Sequence, residues 1–208
     1  MTIFLLIRHG TTDSLGRTLA GWQPGVHLNG QGRREAEELA ERLAAFSPAA
    51  LYCSPLDRAL ETAAPLASRW GIPVQVCEGV GEIRFGEWTG VDFPALSAFP
   101  AWKRFNEFRS GTRIPGGEMI GEVQVRMIAE MERMRGLHPE GRVVVVSHGD
   151  VIKAAIAYYA GIPLDLMRRI EISPASVSGF ALDEYGPVLL CVNHTGALPF
   201  WKGEERKG

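Results

Sequence analysis

Two histidines in this chain stand in nearly the same local setting. Leu5-Leu6-Ile7 runs into Arg8-His9-Gly10, and Val145-Val146-Ser147 runs into His148-Gly149-Asp150. An apolar, β-branched run that stops at such a point reads as a strand delivering an imidazole to its carboxyl end, and in open α/β sheets ligands bind in the crevice beyond those ends. Both imidazoles are therefore predicted to reach one crevice. One such histidine alone would more simply cap a strand or pack; finding the pattern twice weighs against that. Arg8 narrows the chemistry, because a permanent guanidinium beside His9 repels a divalent cation yet grips a phosphate through two parallel hydrogen bonds. No metal is expected here. Arg58, in Ser54-Pro55-Leu56-Asp57-Arg58, follows another strand end and falls in the first turn of the next helix, although taken alone it reads equally well as an exposed helix arginine.

These residues need a sheet and flanking helices to position them. Strands are predicted at Ile3–Ile7, Ala50–Cys53, Val74–Val76 and Val143–Ser147, with later ones near Val177–Leu182 and Val188–Val192. The unbroken run Val143 to Val146 suits a central strand covered on both faces. Ala36, Leu39, Ala40, Leu43 and Phe46 recur at helical spacing after Gly30 and Gly32. A second helix is expected over Leu56–Trp70, stopped by Gly71 and Pro73, a third over roughly Gly121–Arg135, and a fourth from Gly149 or Asp150 to Gly161. Short strands alternating with longer helices give an α/β fold. Between Val91 and Ile114, apolar residues recur every third position from Phe93 to Phe108, broken by Pro94 and Pro100. This stripe is read as a helical face packed on the core, with a lid over the site (residues 91–118) as the alternative.

Composition sets the limits. With 208 residues, 46% apolar and 22% charged, and no linker or repeat, one domain is expected, ending in a solvated tail over 195–208. A net charge of -2 offers no general attraction to nucleic acid or to an anionic membrane, so any anion site is local. The opening apolar run is too short for a signal peptide or a membrane span. Cys53, Cys77 and Cys191 are spaced neither for a metal nor for a disulfide framework, which fits a cytoplasmic protein with reduced thiols. No GxSxG elbow, HExxH helix or Walker loop is present.

Further segments complete an ordered set. Arg8-His9-Gly10-Thr11-Thr12, Leu28-Asn29-Gly30-Gln31-Gly32, Ser54-Pro55-Leu56-Asp57-Arg58-Ala59-Leu60-Glu61-Thr62-Ala63, Glu82-Ile83-Arg84-Phe85-Gly86-Glu87-Trp88, Pro115-Gly116-Gly117-Glu118 and Ser147-His148-Gly149-Asp150 resemble, in this order, the motifs of the histidine phosphatase superfamily, also called phosphoglycerate mutase-like. The resemblance implies a three-layer α/β/α sandwich with a mostly parallel central sheet and a phosphohistidine intermediate. It also implies no metal, and no cofactor unless the chain is a mutase, which would use 2,3-bisphosphoglycerate. By the same resemblance His9 is the nucleophile, Arg8, Arg58 and His148, with Gly149, hold the phosphoryl oxygens, and Glu82 is the proton donor, with Glu87 and Glu118 as weaker alternatives. The chain departs from the family where Glu and Asn commonly follow the first His-Gly pair, for Thr11 and Leu15 stand there. Thr12 or Gln23 is expected to replace the lost hydrogen bond.

The expected activity is hydrolysis of a small organic phosphate ester, because the segment between Gly90 and Pro115 is shorter than the basic insert of glycolytic mutases. Lys103, Arg104, Arg109 and Arg113 keep a mutase open as the alternative; otherwise they form a solvated basic face. A reading from another class is an inactive phosphoester-binding regulatory module. Oligomeric state is left open, a homodimer included.

Overall fold

The computed structural model describes residues 1–196. Strands β1 (Thr2–Arg8), β2 (Ala50–Cys53), β3 (Val74–Val76), β4 (Arg142–Ser147), β5 (Val177–Asp183) and β6 (Gly186–His194) form one sheet in the order β3-β2-β4-β1-β5-β6. The first four are mutually parallel, and β5 and β6 add antiparallel at the edge. Register matters most between β1 and β4. Arg8 lies opposite Ser147, so His9 and His148 emerge side by side from the same edge of the sheet.

Side-chain alternation divides the strands between two cores. Leu5, Ile7, Leu51, Cys53, Val144 and Val146 face helices α1 (Gly30–Arg42) and α2 (Asp57–Trp70) through Leu39, Ala40, Ala59, Ala63 and Leu66. Phe4, Leu6, Tyr52, Val143 and Val145 face the opposite layer, where α5 (Ile120–Leu137) and α6 (Gly149–Tyr159) contribute Val123, Met127, Met131, Val151, Ile152 and Ala155. The result is a three-layer α/β/α sandwich. The helix ends follow local chemistry: Asn29 caps α1 by accepting from the backbone N–H groups of Gln31 and Gly32, and α2 closes on Gly71 at φ 66.

The stripe from Phe93 to Phe108 turns out differently from a continuous packed face. It is split between α3 (Phe93–Ser97) and α4 (Pro100–Glu107). Leu96 and Phe105 are buried and Phe93 and Trp102 half-buried, whereas Phe99 and Phe108 are each 48% exposed. Pro100 supplies the reason. It starts a new helix with Phe99 in an extended conformation, so the periodicity does not carry across the joint. Most of the anticipated tail, residues 197–208, lies outside the described residues.

Candidate active site

A cavity of about 170 Å3 opens at the carboxyl edge of β1 and β4, lined by Arg8, His9, Arg58, Glu82, Gly149 and Asp150, with Thr12, Ser14 and Leu15 from the loop after β1. Close backbone packing sets the start of that loop. A Cβ on Gly10 would fall 2.7 Å from the carbonyl oxygen of Gly32, and one on Gly32 would fall 2.1 Å from that of Thr11. Only glycine fits at either place. Thr62 fastens the loop to α2, accepting the Gly10 N–H at 3.0 Å while its own hydroxyl donates to the Arg58 carbonyl at 2.7 Å.

His9 is buried, and its Nδ1 lies 2.7 Å from the Gly10 carbonyl oxygen, which can only accept. The proton is therefore on Nδ1 and the lone pair on Nε2. Arg58 Nε donates to that lone pair at 3.2 Å. Burial first, then the charges of Arg58 and Arg8, hold the His9 pKa well below its ordinary value, so the ring is neutral. Desolvation is the larger cause, and the two arginine charges add to it.

Arg58 is 2% exposed, which removes the reading of a surface helix arginine. One Nη2 donates to the Gly21 carbonyl at 2.9 Å and lies 3.3 Å from His148 Nδ1. Because arginine cannot accept, Nδ1 of His148 accepts and Nε2–H points to Ser54 Oγ at 2.7 Å. His148 is also held neutral, again mainly by burial and then by Arg58. The two imidazoles meet edge to face with ring centres 5.1 Å apart. Arg8 donates through Nη1 to the Ile172 carbonyl at 2.6 Å. Arg58 Nη1 and Arg8 Nε are buried without a hydrogen-bond partner among the described residues. A site that leaves guanidinium N–H groups unpaired suits an anion that arrives with several acceptor oxygens.

The first turn of α6 adds donors of the same kind. No side chain caps this helix, and Gly149 and Asp150 at its start line the cavity. Its backbone N–H groups and dipole therefore favour negative charge there. Gly149 is small enough to let Arg8 Nε lie 3.3 Å from where a Cβ would be.

Glu82 lines the cavity, with Oε2 at 3.7 Å from His148 Nδ1 and Oε1 accepting from the Ile83 N–H at 2.9 Å. Burial raises its pKa against the opposing charge of Arg58. Its position is set by residues to which sequence reasoning gave no role. Arg126 on α5 donates to the carbonyls of Gly79, Gly81 and Glu82, each at 2.8 Å, and pairs with Glu118 at 2.9 Å. Ser147 Oγ holds the Val80 carbonyl at 2.6 Å. Glu118 is thus committed to Arg126, and Glu87 is exposed outside the cavity.

Of the replacements expected for the missing Asn, Thr12 is buried in the cavity wall, while Gln23 is exposed, does not line it and faces the backbone at Gly90. Ser14, which the sequence reading passed over, lies there instead, its Oγ 3.4 Å from Thr12 Oγ1. Leu15 lines the same wall. Thr11 is held from α1, where the Glu35 carboxylate accepts from both its N–H (2.7 Å) and its hydroxyl (2.8 Å).

The basic residues of the 103–113 stretch do not behave as one face. Lys103 and Arg104 are exposed, and Arg113 pairs with Glu122 across exposed surface. Arg109 is 6% exposed and donates to Asp150 at 2.7 Å, with Lys153 on the other carboxylate oxygen at 3.7 Å. Burial opposes ionisation of Asp150, but Arg109 and Lys153 together keep its pKa below the usual value. Among the described residues, no group of three His, Cys, Asp or Glu side chains is placed to hold a metal ion, and no helix is long and apolar enough to cross a membrane.

Known proteins resemble this chain in sequence and in fold. Glucosyl-3-phosphoglycerate phosphatase from Mycolicibacterium vanbaalenii is 30% identical over 170 residues, covering 77% of this chain and 75% of its own length. Phosphoserine phosphatase 1 from Hydrogenobacter thermophilus is 28% identical over 199 residues, 94% of this chain and 93% of its own. Among solved structures, a phosphoserine phosphatase mutant from Entamoeba histolytica in complex with phosphoserine superposes with a TM-score of 0.85 at 28% identity, covering 95% of this chain and all of that one. The model of the histidine phosphatase superfamily (branch 1) matches residues 4–195, and the chain belongs to that superfamily.

Proposed function

We propose that this protein hydrolyses small phosphate monoesters through a phosphohistidine formed on His9. One observation carries the reading: the Gly10 carbonyl fixes the proton on Nδ1, so a neutral Nε2 lone pair faces a cavity lined by Arg8 and Arg58. In the first step Nε2 attacks phosphorus, the bond to the leaving oxygen breaks, and Glu82 gives its proton to that oxygen. Burial raises the Glu82 pKa, which favours the protonated acid that this step consumes. In the second step a water attacks phosphorus, the P–N bond breaks, and the Glu82 carboxylate takes the water's proton. Phosphate leaves and the starting protonation states return.

Charge on the equatorial oxygens is met by the guanidinium groups of Arg8 and Arg58 and by the first turn of α6, which is electrostatic stabilisation without a metal ion. His148, anticipated as a phosphoryl ligand, acts instead by positioning Arg58 from outside the cavity lining. Arg58 Nε exchanges Nε2 for a phosphoryl oxygen as the ester enters. Thr12 and Ser14 supply the hydrogen bonds that the family's Asn gives elsewhere. Among the described residues the site shows no free basic cluster for a second anionic group of the kind a mutase needs, since Arg109 and Lys153 both face Asp150 and Arg113 pairs with Glu122. Hydrolysis is therefore favoured over phosphoryl return. Metal independence and a cytoplasmic location belong to the same proposal.

The test is hydrolysis of p-nitrophenyl phosphate in EDTA, run beside His9→Ala and beside a mutase assay with 2,3-bisphosphoglycerate. Turnover that survives chelation, disappears in the variant and leaves an acid-labile phosphoprotein on quenching is the expected result. Phosphate binding without turnover would instead identify a regulatory module.

A further inference from the structure

The 170 Å3 cavity is too small for more than the reacting group, since sites for whole organic ligands run from about 300 to 1,000 Å3. It continues into a cleft of about 650 Å3, and Leu19, Phe85, Phe93 and Asp150 line both. Resting on the phosphatase reading of the His9 pocket, we propose that this cleft holds the leaving group, and that it selects phosphate esters of apolar alcohols over those bearing a carboxylate.

The wall is aromatic. Trp102 stacks on Phe105 with centroids 5.9 Å apart, stands edge-on to Trp88 at 5.4 Å and meets Phe93 at 6.2 Å. Phe93 and Trp102 are half-buried, so each keeps ring surface facing the cleft. The charge of the buried Arg109 in the wall is matched by Asp150 at 2.7 Å, and its guanidinium lies 4.7 Å over the Phe105 ring, with Nε left as its one buried N–H without a partner among the described residues. The remaining cations of the cleft, Lys103 and Arg168, are exposed; Lys103 stands 4.0 Å from Glu107, and Arg168 donates to the Asn106 carbonyl at 3.3 Å. Solvent screens both. A carboxylate entering the cleft would lose water and meet cations whose charge is already matched by Asp150 or screened by solvent, whereas a hydrocarbon loses only unfavourable hydration.

Alkylphosphonates, which cannot be hydrolysed, separate the subsite from the chemistry. Calorimetric affinities are measured for ethyl-, butyl- and hexylphosphonate and for 6-phosphonohexanoate. The hydrolysis of ethyl and hexyl phosphate, whose alcohols are equally basic, is measured in parallel. Each methylene that is buried should tighten binding about three- to fourfold, so hexylphosphonate should bind at least about tenfold better than ethylphosphonate. It should also bind better than 6-phosphonohexanoate. Trp102→Ala should lower the hexyl-to-ethyl ratio, and Phe93→Ala, a milder change at a half-buried position, should do so as well.

A flat series, or a preference for the carboxylate, overturns the inference, as does an unchanged ratio in both variants. The two readings fail separately. Graded phosphonate binding without hydrolysis keeps the cleft and removes the phosphatase, while equal hydrolysis and equal binding of short and long chains does the reverse.

Discussion

Around His9, the imidazole and guanidinium side chains leave a strand end or the first turn of a long helix, and their neighbours hold them from several directions. Around Trp102, the wall is made of helices of five and eight residues that meet at Phe99 and Pro100. His9 is tied to Gly10 and Arg58, and Arg58 to Gly21 and His148; His148 is tied in turn to Ser54. α3 has one side-chain cap, the Asp92 carboxylate accepting from Ala95, and α4 has none. The lesson is a division of labour. Groups that must meet developing charge are prepositioned by buried polar networks, where reorganisation would be costly, while groups that only shape the leaving-group space sit on short elements that can vary.

The largest expected effect tests the rigid side. Arg58→Ala removes the donor to Nε2, the contact to His148 and a phosphoryl ligand together, so kcat/KM for phenyl phosphate should fall by at least about 10²–10³-fold. Trp102→Ala should cost much less on the same small substrate. Steady-state kinetics on the two variants that gave equal losses would break the division.

Glu82→Gln sharpens the same contrast through pH. Nucleophilic attack needs neutral His9, whose depressed pKa places the acid limb below the usual histidine range; departure needs protonated Glu82, whose raised pKa places the alkaline limb above the usual carboxylate range. Activity on alkyl phosphates should therefore pass through a maximum, falling as pH drops through the His9 pKa and again as it rises through that of Glu82. The glutamine variant should lose the alkaline limb and about 10²–10⁴-fold in rate. A profile unchanged in shape would assign the acid elsewhere.

Where the two regions join, Asp150 holds Arg109 to α6. Asp150→Asn leaves a buried guanidinium without its counter-charge and should lower stability by about 3 kcal/mol in urea titrations. The double change with Arg109→Leu should recover part of that loss, and a single variant as stable as the parent would show that the pair is not what fastens the wall.

The same contrast explains what could be read from the chain. The strands that lead into Arg8, His9 and His148 are apolar runs with abrupt polar ends, so their position and shared edge were legible, as was Arg58 in the first turn of α2. The broken stripe from Phe93 to Phe108 was not, because three-residue spacing says nothing about how two helices turn relative to each other across Pro100. The exposure of Arg109 was misread for a related reason. Its partner Asp150 lies 41 residues later, and no local pattern announces a pair of that separation. Arg126 escaped notice likewise, since it binds backbone carbonyls, which have no sequence signature.

The smallest expected effect lies in the loop after β1, where a family Asn is replaced. Ser14 and Thr12 face the cavity and Gln23 does not, although Gln23 is the longer side chain and the one better suited by type to replace an amide. Position outweighs type here, because a hydrogen bond needs its donor within about 3 Å of the acceptor. Ser14→Ala should weaken competitive inhibition by inorganic phosphate by up to about tenfold, the worth of one hydrogen bond to a charged group at the lower end of its range. Gln23→Ala should leave inhibition unchanged. The opposite ranking of the two variants would mean that the loop rearranges when phosphate enters, and the His9 pocket would then share the adaptability assigned to the wall around Trp102.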